Sequence, residues 1–105
     1  MSKDQEATPV GRIGVSLEFF PPKTPAMLAS FWKAFQALLP LDPVFVSVTC
    51  GAAGTIRDRT HEVVKDIMRM TDVRPAAHLT CVGSSRAEIR DIAQNYFHDG
   101  VTHIV

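Results

Sequence analysis

The sequence has 105 residues, 46% hydrophobic and 21% charged, the profile of a folded, water-soluble chain with apolar material for one core. Eleven Lys plus Arg balance eleven Asp plus Glu, so no net field draws in nucleic acid or an anionic membrane surface. The polar opening Met1-Ser2-Lys3-Asp4-Gln5-Glu6 has no signal-peptide core, and no stretch reaches the roughly 18 apolar residues of a membrane span; cytoplasmic location is expected, with neither nucleic acid nor membrane as partner.

Residues 1–12, with Pro9 and Gly11, read as a flexible lead-in. A first strand is expected over Ile13–Phe20, stopped by Pro21-Pro22. Thr24-Pro25 has the form of a helix start, threonine as N-cap and proline at the first helical position. Leu28, Phe31, Trp32, Phe35, Leu38 and Leu39 follow at spacings of three and four as one apolar stripe, closed by Pro40. Pro43 to Cys50 is a β-branched run that gives the second strand, leading into the loop Gly51-Ala52-Ala53-Gly54-Thr55. A second helix is expected from about Arg59 to Met70, with Val63, Val64, Ile67 and Met68 on its inner face. Pro75 to Val82 is the third strand. Ser85 and Glu88 have capping-box spacing at the start of a third helix, whose stripe is Ile89, Ile92, Ala93, Tyr96 and Phe97. Gly100 suits the position after the helix end, and Val101–Val105 opens a fourth strand.

Strand alternating with helix at a period near thirty residues predicts successive βαβ units, hence parallel strands covered by helices. Two architectures satisfy this: a complete small doubly wound sheet, or the opening portion of a TIM-type β/α barrel, which needs about 250 residues. A chain that stops inside a strand favours the barrel, with the first three βα units and the start of strand four present. Cys50 and Cys81 stand far apart without a CxxC pair and read as half-buried reduced thiols. His61, His78, His98 and His103 form no metal-ligand spacing, so no metal is expected.

Residues two apart in a strand share a face. Ser16, Glu18 and Phe20 share one face of strand one, Ser47 and Thr49 one face of strand two, and His78 and Thr80 one face of strand three. The opposite faces carry Val15, Leu17 and Phe19; Val44, Val46 and Val48; and Leu79 and Cys81, suited to packing under helices. A buried parallel strand is normally apolar on both faces, and parallel α/β proteins bind ligands at the carboxyl ends of their strands. The polar groups therefore mark a candidate site. Glu18 is its strongest member: a carboxyl among Leu17, Phe19 and Phe20 is expected to be partly desolvated, which favours its neutral form and suits a general acid. The glycine-containing loop 51–55 offers backbone amides to a phosphate or a ring edge.

Leu17-Glu18-Phe19-Phe20-Pro21-Pro22-Lys23, then Phe45-Val46-Ser47-Val48-Thr49 leading into Gly51-Ala52 and Arg57-Asp58-Arg59-Thr60, then His78-Leu79-Thr80-Cys81, resemble in order and spacing the N-terminal portion of the methylenetetrahydrofolate reductase family. The resemblance runs from about residue 13 to the end. It implies that residues 13–105 are the N-terminal part of a barrel flavoenzyme that passes a hydride from NADH or NADPH through FAD to methylenetetrahydrofolate, in one-carbon metabolism and methionine supply. It further implies that Glu18 is the catalytic acid that helps open the folate's five-membered ring, and that Thr49, Cys50, Ala52 and His78 contact the flavin. Many bacterial members have tyrosine where Cys50 stands, which leaves backbone contacts at that position. A homo-oligomer is expected for the full-length enzyme, and the 105-residue chain alone is not expected to retain FAD or turn over folate. The alternative is a non-catalytic, truncated α/β module that binds a partner through a strand edge. A complete nucleotide-binding domain ranks last, because Pro21-Pro22 stands where a phosphate-binding glycine loop would follow strand one.

Overall fold

The computed structural model of the chain describes residues 13–50 and 54–105; the expected flexible segment 1–12 and Ala52 lie outside the described residues. Three short strands, β1 (Ser16–Phe19), β2 (Phe45–Val48) and β3 (Pro75–Ala77), form a parallel sheet in the order β1-β2-β3. Between and after them run α1 (Pro25–Leu38), α2 (Gly54–Met70) and α3 (Arg86–His98). The βαβ reading is thus realised as a mixed α/β fold, and the described residues form an open sheet, not a closed barrel. The expected fourth strand contributes an isolated parallel bridge between Ala77 and Ile104. It is held by the Ala77 N–H on the His103 carbonyl (3.0 Å) and the Val105 N–H on the Ala77 carbonyl (2.8 Å).

The helix starts follow their local chemistry. Thr24 accepts the Met27 N–H at 3.1 Å, with Pro25 at the first helical position. α1 ends at Leu38 and passes into a 3-10 turn, Leu39–Leu41, because Pro40 has no N–H to continue the ladder. At α3 the capping box forms in full: Ser85 Oγ accepts the Glu88 N–H (3.1 Å) and Glu88 Oε1 accepts the Ser85 N–H (2.9 Å). Past its end Gly100 sits at φ +92°, a left-handed conformation that a side chain makes costly.

The core lies between one face of the sheet and the helices. Val46 and Val48 are fully buried, and Val63, Val64 and Ile67 of α2 pack onto them with Tyr96 of α3. Phe19 turns into this layer and meets Phe31 and Phe35 of α1, ring centroids 5.1 and 5.4 Å away. Trp32 lies against both α1 phenylalanines. At about 1.5–3 kcal/mol for each fully buried large apolar side chain, this layer is the main source of stability.

Several expected positions fall elsewhere. Leu28 and Phe97 are exposed, Phe97 at 71%; Phe97 follows Tyr96 by one residue, and the 100° step of a helix cannot aim both at the sheet. α2 begins at Gly54 rather than near Arg59, so Gly54 and Thr55, expected in the loop, belong to the helix. β3 ends at Ala77 rather than Val82. Cys81 consequently lies exposed in the following loop, whereas Cys50 is half-buried, and neither is in a disulfide. Among the described residues no helix is long and apolar enough to cross a membrane, and no group of His, Cys, Asp and Glu could hold a metal ion.

Candidate active site

The register sets Glu18 opposite Ser47, and Ser47 opposite Ala76. One step further along the sheet, the Thr49 N–H donates to the Phe19 carbonyl (2.9 Å) and the His78 N–H to the Val48 carbonyl (3.0 Å). Thr49 and His78 thus extend β2 and β3 side by side at their carboxyl ends. By strand alternation Glu18, Ser47, Thr49, Ala76 and His78 share the face turned away from the helices. Leu17, Phe19, Val46, Val48 and Ala77 share the face packed against them.

Glu18 and His78 come from strands that are not neighbours. About 10 Å separates the backbones of alternate strands, yet His78 Nε2 lies 3.4 Å from Glu18 Oε1. The two side chains meet over β2, where Ser47, with Ala76 beside it on β3, is small enough to leave the space. The contact becomes an ion pair when the imidazole is protonated, and it is loose and solvated, with side-chain exposures of 26% for His78 and 58% for Glu18. The apolar shield expected around Glu18 is not formed, because Leu17 and Phe19 point to the opposite face and Phe20 projects outward. Glu18 therefore stands as an open carboxylate beside a half-buried imidazole, a pair able to hold and hand over a proton.

Thr49 is half-buried next to this pair. Its carbonyl accepts a 2.8 Å hydrogen bond from the hydroxyl of Thr60, which is 0% exposed inside α2. By alternation Cys50 turns toward the helices. Burial there raises the Tyr96 phenol well above its usual pKa, and the neighbouring Cys50 and Asp58 push it further in the same direction. His61 lies against the Tyr96 ring at 4.2 Å and reaches Asp99 Oδ2 with Nε2 at 2.6 Å, which ties α2 to the end of α3. Of the expected site residues, then, Glu18, Thr49 and His78 are gathered on one face, the Cys50 thiol faces the helical layer, and Ala52 lies outside the described residues. Thr60 carried no sign of its contact with the strand end: a threonine within a run of helix-forming residues reads as ordinary helix surface.

A family profile for methylenetetrahydrofolate reductase matches residues 3–105. Over 95 residues, 90% of this chain, the sequence is 50% identical to the 5,10-methylenetetrahydrofolate reductase of Pectobacterium carotovorum subsp. carotovorum and 46% identical to that of Escherichia coli strain K12. It is 30% identical over 105 residues to the probable methylenetetrahydrofolate reductase (NADH) of Oryza sativa subsp. japonica, covering 18% of that protein. The chain spans about a third (32%) of the length of the bacterial relatives. On this agreement of profile and identity, the chain belongs to the methylenetetrahydrofolate reductase family.

Proposed function

We propose that this chain is the N-terminal part of a reductase that converts methylenetetrahydrofolate to methyltetrahydrofolate, with FAD as bound cofactor and NADH or NADPH as hydride donor. The observation that carries the reading is the meeting of Glu18 and His78 at 3.4 Å over the carboxyl end of β2, beside Thr49. Membership of the family supports the reaction class, and the activity by which the relatives are named supports the folate substrate.

The residues present fit a flat, polar-edged ring. Thr49 and His78 stand side by side as hydrogen-bonding side chains, with the buried, small Ser47 and Ala76 behind them and the face open above. A flavin bound there supplies hydride transfer. In that arrangement Thr49 and His78 would orient the ring edge, with a backbone contact at Cys50; Ala52 is the further position that the family resemblance assigns to the flavin. Glu18 serves as the acid toward the folate nitrogen whose bond to the one-carbon unit must break, and His78 keeps the carboxyl directed across the sheet. The complete protein is read as a cytoplasmic homo-oligomer with a closed β/α barrel.

The test is Glu18→Gln in the complete reductase. Removing the acid lowers folate reduction at least about 100-fold, the scale of a lost general acid, while flavin reduction by NADH or NADPH stays within about twofold of the parent. Equal loss in both half-reactions contradicts the role assigned to Glu18.

A further inference from the structure

The backbone at the end of β2 has an irregularity with a specific cause. Val46 and Val48 turn their backbone groups toward β3, since the Val46 N–H donates to Arg74 (3.3 Å) and Val48 accepts from His78 (3.0 Å). Thr49 turns toward β1, donating its N–H to the Phe19 carbonyl (2.9 Å). In a parallel ladder a residue that donates to one residue of its neighbour accepts from the residue two places further along. For Thr49 that donor is residue 21, which is a proline and has no N–H. The ladder therefore leaves the Thr49 carbonyl without its strand partner at the point where the chain enters the candidate site.

Thr60 fills this vacancy. Its hydroxyl donates to the Thr49 carbonyl at 2.8 Å, across from α2 and eleven residues along the chain. A threonine within a helix commonly bonds to a carbonyl of its own preceding turn; this one, fully buried, also reaches across to the strand. Thr49 is then fixed from two sides, its N–H by β1 and its carbonyl by α2. We propose that Thr60 is a positioning residue of the site: its hydroxyl stands in for the backbone donor that Pro21 lacks, and so sets the orientation of Thr49. The inference rests on the reading of Thr49 as a flavin contact.

The experiment measures flavin affinity in the complete reductase, together with the melting temperature of the flavin-free protein. Thr60→Val keeps the side-chain shape and removes the donor, and is expected to weaken flavin binding about tenfold, the scale of one unmade hydrogen bond to a partly buried carbonyl. Thr60→Ser, which keeps the hydroxyl, returns the affinity to within about twofold. The deciding variant is Pro21→Ala in the Thr60→Val background, because it restores a backbone N–H at the position facing Thr49; recovery of most of the lost affinity is expected. A lower melting temperature with unchanged flavin affinity in Thr60→Val overturns the proposal, as does failure of Pro21→Ala to rescue. Should Thr60→Val not accumulate in folded form, the double variant decides alone: recovery of folded, flavin-loaded protein supports the proposal and its absence overturns it. Thr49→Val separates the two levels. No effect of Thr49→Val on flavin affinity overturns the reading of Thr49 itself, whereas an effect of Thr49→Val with none from Thr60→Val overturns only the positioning role.

Discussion

Replacing Phe35 with alanine tests whether the aromatic layer under β1 holds the site in place. Phe35 is 1% exposed and has ring neighbours in Phe19 at 5.4 Å, Trp32 at 5.5 Å and Phe31 at 5.8 Å. A buried phenyl side chain removes on the order of 150–200 Å² from water, which at ~25 cal/mol/Å² amounts to about 4–5 kcal/mol. That lies within the ~3–5 kcal/mol typical of Phe→Ala in a core and is a large share of a native stability of about 5–15 kcal/mol. With a urea dependence of ~2 kcal/mol/M, the unfolding midpoint falls by about 2 M. Phe97→Ala is the control, since its ring is 71% exposed, and it changes stability by less than about 0.5 kcal/mol. Phe19 is the link to function: with its partner gone, β1 is less firmly seated and Glu18 less firmly placed. A loss below about 1 kcal/mol for Phe35→Ala, or equal losses for Phe35→Ala and Phe97→Ala, refutes the assignment of this layer as the core.

Three further outcomes follow from local geometry. Ser85→Ala removes the capping hydroxyl of α3 and costs about 1 kcal/mol in urea unfolding; a change below about 0.2 kcal/mol contradicts the cap. Gly100→Ala forces a side chain to φ +92° with its Cβ 3.0 Å from Met68 Cε, and costs about 1 kcal/mol or more; a neutral substitution shows that the turn relaxes freely. Tyr96 is the sole tyrosine, so tyrosinate absorbance reports it directly. Its phenol is raised by burial, so the folded state keeps a proton that the unfolded chain releases near pH 10. The associated stability is complete below that pH and declines as pH rises above it. Tyrosinate absorbance is expected to appear only with unfolding, and Tyr96→Phe to flatten the alkaline decline; ionisation in the folded protein refutes the buried setting.

Features written in neighbouring residues were readable from the sequence. Thr24-Pro25 and the Ser85–Glu88 box each rest on contacts three residues apart, and both formed as expected. Strand alternation sorted Glu18, Thr49 and His78 from Leu17, Phe19, Val46 and Val48, because side-chain direction in a strand depends on parity alone. Extents were less readable. The run His78 to Val82 has strand-like composition, but the ladder carries it only as far as Leu79, whose N–H donates to Val105 (2.9 Å). Where β3 stops depends on a partner more than twenty residues away. Glycine at position 54 reads as loop by propensity, yet it is absorbed into the first turn of α2. The openness of Glu18 was hidden for a related reason: its apolar chain neighbours lie on the other side of the strand, so adjacency in sequence gave it no cover. Thr60 was invisible because its role depends on what Pro21, thirty-nine residues earlier, is unable to donate.

The two-sided character of β1 has a consequence for how damage to this protein would be recognised. Leu17 and Phe19 pack against the core, whereas Glu18 between them faces away from it and meets His78. Variants at the outer two positions are expected to fail through low abundance that growth at reduced temperature recovers. Under the role proposed for Glu18, a variant at the middle position is expected to accumulate normally and stay inactive whatever the temperature. Along these three consecutive codons, protein level and specific activity are independent readouts, and measuring both tells a folding lesion from a catalytic one.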